Sequence, residues 1–179
     1  KKFLGQKIIK LFEYLNPNTN KSTPLSEVYE SHKKYDYKLY YPNNVYKFPL
    51  ELNFAEEFGN FKIIHNENPD LILWYGWSWI IPKNILKKYY SVMLHPSPLP
   101  KYRGGSPIQN QIINGETTSA VTLFKMDEGI DTGDIIYQEQ FSLEGDLEDI
   151  FKRITYIGTD LSIKMLINFP NLNLISQDR

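Results

Sequence analysis

The feature that most constrains the fold is an uninterrupted apolar run in the middle of the chain. Residues 71–75 are Leu-Ile-Leu-Trp-Tyr, and the run is bounded by Pro69 and Gly76. A strand with one face in water alternates polar and apolar residues, whereas a strand covered by helices on both faces is apolar throughout. Strands of the second kind belong to parallel sheets, so the run predicts a buried parallel strand.

The segments that follow complete a strand–helix–strand unit. Residues 82–90 are typical of a short helix that begins with a proline, and residues 91–94 (SVML) predict a second buried strand. Such units have a right-handed crossover and build doubly wound sheets. We therefore predict an α/β fold of Rossmann-like architecture, in which helices flank a doubly wound, mostly parallel sheet.

The remaining elements are predicted from apolar spacing and turn residues. Further helices are expected at residues 6–15 and 22–34, around Glu56, at 106–113 and from Asp146 onward, and further strands at 35–41, 120–125 and 135–143. A helix at 6–15 leaves no proper first strand. We therefore expect a single domain over residues 1–179 that is incomplete at its N-terminal strand and at its C-terminal extension.

Composition and charge exclude several classes of protein. The chain has 179 residues, 41% of them hydrophobic and 23% charged, which is typical of a soluble globular domain. Its 20 basic and 21 acidic side chains nearly cancel, which argues against a nucleic-acid partner held by bulk phosphate neutralisation. The absence of cysteine excludes disulfides, thiolate metal sites and a thiol nucleophile. No apolar run has the length of a membrane span and no signal-peptide pattern occurs, so we expect a cytoplasmic protein without a membrane partner.

A histidine stands where open α/β sheets place their active sites. His95 follows the predicted strand at 91–94 and leads into a loop rich in proline and glycine. In such sheets ligands bind beyond the carboxyl ends of the strands, and prolines let a loop keep one geometry without regular hydrogen bonds. A lone histidine more often packs beneath its loop, so a functional interpretation requires a partner.

An acidic segment from Asp127 to Asp134 offers that partner. It places three aspartates and a glutamate between two predicted strands. A calcium loop would need a longer series of oxygen ligands and a terminal glutamate, and a solvated acidic turn is the other structural alternative. The functional alternative is that one carboxylate faces the imidazole and fixes the orientation and tautomer of the ring.

These segments together resemble a known family. The chain is similar to the catalytic domain of N10-formyltetrahydrofolate-dependent formyltransferases in the run HPSPLPKYRGGSP at 95–107, in the pairs Gly-Glu at 115–116 and Val-Thr at 121–122, and in the run DTGDI at 131–135. That family includes methionyl-tRNA formyltransferase, glycinamide ribonucleotide formyltransferase and the sugar-nucleotide N-formyltransferases. The resemblance implies the formyltransferase fold, N10-formyltetrahydrofolate as co-substrate and no metal.

The resemblance assigns the chemistry to His95 and Asp131. His95 would donate to the oxyanion or accept the amine proton, and Asp131 would maintain the charge state of the ring and relay the proton. In the family an asparagine two residues before this histidine helps to bind the oxyanion, but Met93 stands there and cannot donate a hydrogen bond. We expect a substitute donor among the polar side chains that follow: the amides of Gln109 and Asn110, or the hydroxyls of Ser97 and Ser106.

The resemblance also implies two binding surfaces. Flat aromatic rings suit a flat heterocycle because offset stacking adds to burial. One wall of the folate pocket is therefore expected from Gly76, Trp77, Ile80 and Ile81. The opposite wall is expected from the acidic turn, at Asp127, Gly129 and Ile130. The acceptor is expected to contact the glycine-rich loop at Ser97, Arg103, Gly104 and Ser106, with the Arg103 guanidinium available to a phosphate.

The acceptor expected from the sequence is an amino sugar on a nucleotide carrier. Methionyl-tRNA would require a basic second domain, and the glycine-rich phosphate loop of glycinamide ribonucleotide enzymes is not visible. Residues 171–175 (NLNLI) resemble the start of the C-terminal extension of the sugar-nucleotide enzymes. That resemblance implies lipopolysaccharide or O-antigen biosynthesis, small-molecule partners without nucleic acid, and a homodimer. Alternatives are transfer to another amine, hydrolysis of formyltetrahydrofolate, and a catalytically impaired folate- or nucleotide-binding module.

Overall fold

A six-stranded sheet organises the part of the chain that the structure describes. The computed structural model describes residues 10–13, 38–40, 64–65, 68–77 and 80–178. The strands of the sheet are β1 (Lys10–Glu13), β2 (Lys38–Tyr40), β3 (Leu71–Tyr75), β4 (Tyr90–His95), β5 (Thr118–Lys125) and β6 (Ile135–Ser142). Three helices have both ends in the described residues, namely α1 (Lys83–Lys88), α2 (Pro107–Ile113) and α3 (Leu147–Asn168).

The sheet is parallel on one side of β4 and antiparallel on the other. Its strand order is β2-β1-β3-β4-β5-β6. β1 runs parallel to β2 and to β3, and β3 runs parallel to β4. β5 is antiparallel to β4 and forms a hairpin with β6. The predicted α/β architecture with a mostly parallel sheet is confirmed, and the parallel part contains the buried run from which it was predicted.

The prediction for the first residues was wrong. A helix was expected at residues 6–15, but Lys10–Glu13 form strand β1 in the interior of the sheet. A short apolar run is compatible with the buried face of a helix and also with a strand that is covered on both faces. The spacing of apolar residues alone therefore did not distinguish the two. The chain therefore does contain a strand where we expected none. The helices predicted at 22–34 and around Glu56 lie outside the described residues.

Two apolar clusters cover the two faces of the sheet. Because side chains alternate along a strand, Leu71 and Leu73 of β3 point to one face, whereas Ile72 and Trp74 point to the other. The first face packs against the buried stripe of α3, which consists of Ile150, Ile154, Ile157, Leu161 and Met165. The second face packs against Ile85 of α1 and also contains Met93 of β4 and Phe124 of β5. Burial on both faces explains the uninterrupted apolar run.

Helix α3 lies close against the strands that carry the site. Asp146 caps it, since its Oδ1 accepts a hydrogen bond from Asp149 N at 2.9 Å, as the sequence predicted. A Cβ atom at Gly158 would lie 2.5 Å from Leu94 Cδ1, so only glycine allows this approach without a shift of Leu94. At the end of β3, Tyr75 Oη lies 2.5 Å from Ser162 Oγ, and burial raises the pKa of the Tyr75 hydroxyl. In the described part of the chain, none of the helices combines the length and the apolar character needed to traverse a membrane.

The β5–β6 connection is closed by a tight backbone contact. Lys125 N donates to Asp134 O at 2.8 Å where the two strands begin to pair. Between them, Gly133 packs so tightly that a Cβ atom would lie 1.7 Å from Lys125 O. Inside the turn, Asp127 Oδ1 accepts from Gly129 N at 2.9 Å and from Thr132 Oγ1 at 2.6 Å. The glycine is therefore required by sterics, and the turn has a defined conformation.

Replacing Gly133 with alanine should destabilise the fold. The new Cβ would overlap a backbone oxygen, which cannot move without breaking the hairpin, so we expect a loss of roughly 1–3 kcal/mol or more in the free energy of unfolding. Urea denaturation followed by circular dichroism measures the loss. Gly105→Ala is the matched control, because among the described residues, its two chain neighbours apart, no atom lies within 4 Å of the corresponding Cβ position. Equal stability of the two variants would contradict the steric role of Gly133.

Candidate functional site

The carboxyl end of β4 presents a buried histidine with a partner at each ring nitrogen. His95 is 7% exposed. Its Nε2 lies 2.8 Å from Tyr102 O, and its Nδ1 lies 3.5 Å from Asp131 Oδ2. A carbonyl oxygen only accepts hydrogen bonds, so Nε2 carries a proton in this arrangement. The Nδ1 atom faces the Asp131 carboxylate, which would stabilise a positive charge on the ring.

Asp131 reaches His95 because the acidic turn spans the length of β4. The turn starts beside the early part of that strand, where Met126 N donates to Ser91 O at 2.8 Å. It then returns to the end of the strand, where Asp131 Oδ2 accepts from Gly104 N at 2.8 Å. Asp131 adopts a left-handed backbone conformation with a φ of 52°. The structure thus brings together the two residues in which the sequence placed the chemistry.

A cavity opens beside this pair. Its volume is about 600 Å³, which lies within the usual range for small-molecule sites. Its charged lining residues are Asp127, Glu128 and Asp131, and neither lysine nor arginine lines it in the described part of the chain. The rest of the lining is mostly apolar, with Phe151 and Ile154 of α3 contributing alongside Phe124. The site is therefore an apolar pocket with acidic groups on one side.

The residues expected to bind folate all line this cavity. One wall contains Gly76, Trp77, Ile80 and Ile81, and the facing turn contributes Asp127, Gly129 and Ile130. Ile80 and Ile130 are 86% and 65% exposed, so apolar side chains border the opening. The Trp77 ring packs edge-on against the buried Trp74 ring, with centroids 5.2 Å apart. This contact orients Trp77 at the wall.

Two lysines hold the outer side of the turn. Glu128 accepts from Lys83 Nζ at 2.5 Å and from Lys87 Nζ at 3.2 Å, and both lysines belong to α1. These bonds lower the pKa of the Glu128 carboxyl below its usual value. The three side chains are exposed, so the ion pairs add little stability, but they connect α1 to the turn opposite it.

Several residues predicted for the site lie elsewhere. Gln109 and Asn110 are exposed on α2 and do not line the cavity, because the helix turns Ile108 and Gln111 inward instead. Asn110 Nδ2 donates to Gly105 O at 3.2 Å. Ser97 is buried and absent from the lining, and its hydroxyl donates to Lys101 O at 2.8 Å. The structure therefore does not place any of these three as the substitute donor.

Arg103 likewise forms hydrogen bonds within the protein. Its Nε and Nη2 donate to Gln177 Oε1 at 3.1 and 2.7 Å, and Nη2 also lies 3.2 Å from Asp178 O. The guanidinium expected to meet a phosphate instead binds the C-terminal segment, and it does not line the cavity. Gln177 was missed in the sequence because no local pattern relates it to residues so far away along the chain.

The position beside His95 is apolar. Met93 is 8% exposed, lines the cavity and belongs to the same apolar cluster as Trp74 and Phe124. Strand alternation puts Met93 and His95 on one face of β4. Of the polar candidates, Ser106 lines the cavity together with Gly104. Ser106 precedes α2 in a left-handed conformation with a φ of 53°, and its hydroxyl makes no capping bond to the helix.

The arrangement suits general acid–base catalysis. A buried imidazole beside a carboxylate can take a proton from a nucleophile and return it to a leaving group. Among the described residues, no group of three or more His, Asp or Glu side chains is arranged to hold a metal ion. The His95–Asp131 geometry is suited to acid–base chemistry.

Comparisons with known proteins identify the family of the chain. A family model described as formyl transferase matches residues 23–164. Methionyl-tRNA formyltransferase of Rickettsia rickettsii is 41% identical over 119 residues, which cover 64% of this chain and only 39% of that protein. The protein of the same name from Caldicellulosiruptor saccharolyticus is 38% identical over 134 residues, which cover 73% of this chain and 42% of that protein. The chain thus spans about two fifths of the length of the curated relatives it matches.

Solved structures share the fold. Methionyl-tRNA formyltransferase from Clostridium thermocellum superposes with a TM-score of 0.71 at 29% identity, over 96% of this chain and 69% of that one. WlaRD, a sugar 3N-formyl transferase, gives a TM-score of 0.67 at 20% identity, over 98% of this chain and 68% of that one, and shows similarity of fold alone. The family resemblance found in the sequence is confirmed. Because the family model covers most of its length, the chain belongs to the formyl transferase family.

Proposed function

We propose that this chain transfers a formyl group from N10-formyltetrahydrofolate to a primary amine. The observation that carries the proposal is the His95–Asp131 pair at the wall of the cavity, with the ring held at both nitrogens. Membership of the formyl transferase family supports the same reaction. WlaRD, a neighbour in fold, was crystallised with 5-N-formyl-tetrahydrofolate.

The cavity fits such a co-substrate. A volume of about 600 Å³ accommodates a ligand of this size, and the apolar wall at Trp77 and Ile81 suits a flat heterocycle. The facing turn contributes the polar side chain of Asp127 to the lining. When bound, the co-substrate supplies the formyl group. The residues of this chain bind it, orient it and move the proton.

Formyl transfer makes two demands on the protein. A carbon–nitrogen bond forms to the acceptor amine, whose proton must leave, and the bond to the folate nitrogen breaks and that nitrogen regains a proton. Meanwhile negative charge grows on the carbonyl oxygen and must be stabilised. Because Nε2 already donates to Tyr102 O, the proton that leaves the amine would be held at His95 Nδ1 until it passes to the folate nitrogen, and Asp131 would stabilise the charged ring during that interval. The acidic lining also attracts a cationic amine to the cavity.

Met93 favours a second candidate function, which is folate binding without efficient formyl transfer. Its thioether cannot donate to the carbonyl oxygen, and the loss of one such donor typically costs about 10²–10³ in rate. Unless another group donates, the chain would bind folate without transferring the formyl group efficiently. Ser106 is the remaining hydroxyl candidate from the sequence, because it lines the cavity and makes no capping bond to the helix.

Two acceptors have support. Methionyl-tRNA is favoured by the relatives of that name at 41% identity. A nucleotide-linked amino sugar is favoured by the charge of the chain, since 20 basic and 21 acidic residues provide no general attraction for a nucleic acid. Arg103 is bonded to Gln177 and does not line the cavity, so it favours neither acceptor.

The acceptor can be identified by measuring tetrahydrofolate release from N10-formyltetrahydrofolate. The protein is given methionyl-tRNA, glycinamide ribonucleotide, a panel of nucleotide-linked amino sugars, or no amine. We expect an amine to accelerate release and to yield its N-formyl product, which mass spectrometry detects. Equal release without any amine would show hydrolysis instead, and folate binding without release would support the binding-module alternative.

Replacing either member of the central pair should slow transfer strongly while leaving folate binding intact. For His95→Gln and Asp131→Asn we expect rates lower by about 10²–10⁴-fold, the usual contribution of a positioned acid–base group. Binding is measured in parallel by tryptophan fluorescence. His65→Gln is the matched control, because that histidine pairs with Tyr89 away from the cavity. Full activity in His95→Gln would rule out the assigned role.

Restoring an amide at position 93 tests the missing donor. If the oxyanion lacks a partner, Met93→Asn should raise the transfer rate by up to about 10²–10³-fold. Met93→Leu keeps the apolar character without adding a donor, so it should give no gain. An equal effect of both variants would show that another group, such as Ser106, already donates. Activity only in Met93→Asn would identify the natural chain as impaired.

A further inference from the structure

The segment Ile175–Asp178 crosses from the β5–β6 hairpin to the loop at 96–106, which follows His95 and is called the histidine loop below. Ile175 forms an antiparallel bridge with Ile135, through backbone hydrogen bonds of 2.8 and 2.9 Å. Ser176 Oγ then donates to Asp134 Oδ1 at 3.0 Å. These contacts anchor the segment to the start of β6. The next side chain, Gln177, is directed inward and is 8% exposed.

The Gln177 side-chain amide is hydrogen-bonded to the histidine loop and to the acidic turn. Its Oε1 accepts two bonds from the Arg103 guanidinium, at 3.1 and 2.7 Å. Its Nε2 donates to Asp131 O at 3.0 Å and to Gly133 O at 2.6 Å. A carboxamide has two lone pairs and two donor hydrogens, so all four positions are occupied. No other partner is needed to explain why this polar side chain is buried.

The histidine loop and the acidic turn each provide a partner for a ring nitrogen of His95. On either side of Arg103, Tyr102 O contacts His95 Nε2 and Gly104 N contacts Asp131 Oδ2. Asp131 and Tyr102 have φ values of 52° and 58°, a backbone region that costs energy for residues other than glycine. Such conformations persist where surrounding contacts hold them. The bonds of Gln177 supply these contacts directly at Asp131 and, through Arg103, next to Tyr102.

We propose that Gln177 is a positioning residue, which keeps the imidazole of His95 and the carboxylate of Asp131 in register by clamping the loops that carry their partners. This inference rests on the proposed function for its kinetic consequence but not for its structural one. The alternative is that Gln177 only attaches the C-terminal segment to the fold. The two differ, because attachment alone would affect stability without changing the environment of the His95 ring.

Kinetics provide the first test. Gln177 does not itself line the cavity, and the wall expected to bind folate at Trp77 and Ile81 does not touch it. In Gln177→Ala the KM for N10-formyltetrahydrofolate should therefore change little, while kcat falls by roughly tenfold to a hundredfold, as expected for small misplacement of reacting groups. Ser176→Ala is the matched control, because it loses a hydrogen bond in the same segment but none to Asp131 or Arg103. It should retain kcat.

A double-mutant cycle tests whether Arg103 acts through the same clamp. Arg103→Ala should lower kcat as Gln177→Ala does, and the double variant should lose no more than the larger single loss. Independent, additive losses would contradict a shared clamp. If Gln177→Ala does not fold, Arg103→Ala and Gln177→Glu serve in its place, since the glutamate keeps the acceptor for Arg103 and loses both donors to the turn.

Nuclear magnetic resonance of ¹⁵N-labelled histidine tests the clamp without any assay of transfer. The chain has three histidines, and His95→Gln assigns the relevant ring signals. We expect the His95 signals to shift in Gln177→Ala and in Arg103→Ala but to stay in place in Ser176→Ala. Unchanged His95 signals and unchanged kcat, with a lower melting temperature, would overturn the proposal. If the wild-type chain transfers no formyl group, the proposed function fails, yet these spectra still decide the role of Gln177.

Discussion

The contact between His95 and Asp131 is the constraint on which the site depends. It exists because the sheet changes direction at β4, the last parallel strand. An antiparallel neighbour carries the chain back toward the beginning of β4, so the acidic turn must travel the length of that strand to return to His95. The close packing of Gly133 on the backbone of Lys125 allows that path. Geometry at the site is thus set by backbone sterics several residues away.

The surroundings of this contact determine its strength. His95 is buried beside Met93, so a proton held on its ring would meet the Asp131 carboxylate in a poorly solvated environment, where opposite charges attract more strongly than in water. In the proposed reaction the same apolar neighbour offers the carbonyl oxygen no hydrogen-bond donor. Met93 would therefore favour the transfer of the proton and disfavour the stabilisation of the negative charge. An amide at that position would reverse this balance, at the expense of placing a polar group beside Trp74 and Phe124.

The sequence predicted the elements whose signals are local. The apolar run at β3, the proline at the start of α2 and the cap at Asp146 each determine a structure within a few residues, and all were placed correctly. Strand β1 was mistaken for a helix, because a short apolar run is compatible with both. Tertiary pairing decided the outcome, and single-sequence spacing contains no information about it.

The same distinction applies to the site. His95 and Asp131 could be paired in advance because a family resemblance linked them, and the structure brings them together. Gln109, Asn110 and Arg103 were chosen for their chemistry, yet the phase of α2 and the contact with Gln177 turn them away from the cavity. Residue type indicates what a side chain can do. Only the packing of the whole chain decides where it points.

The interior position of β1 has a consequence for any shortened form of this protein. β1 hydrogen-bonds to β2 on one side and to β3 on the other, so its loss would free one edge of each neighbour. β3 is apolar on both faces, and an unpaired apolar edge is a template for association with other chains. Fragments that begin after β1 should therefore be recovered as aggregates, even though the histidine, the turn and the cavity wall would all still be encoded.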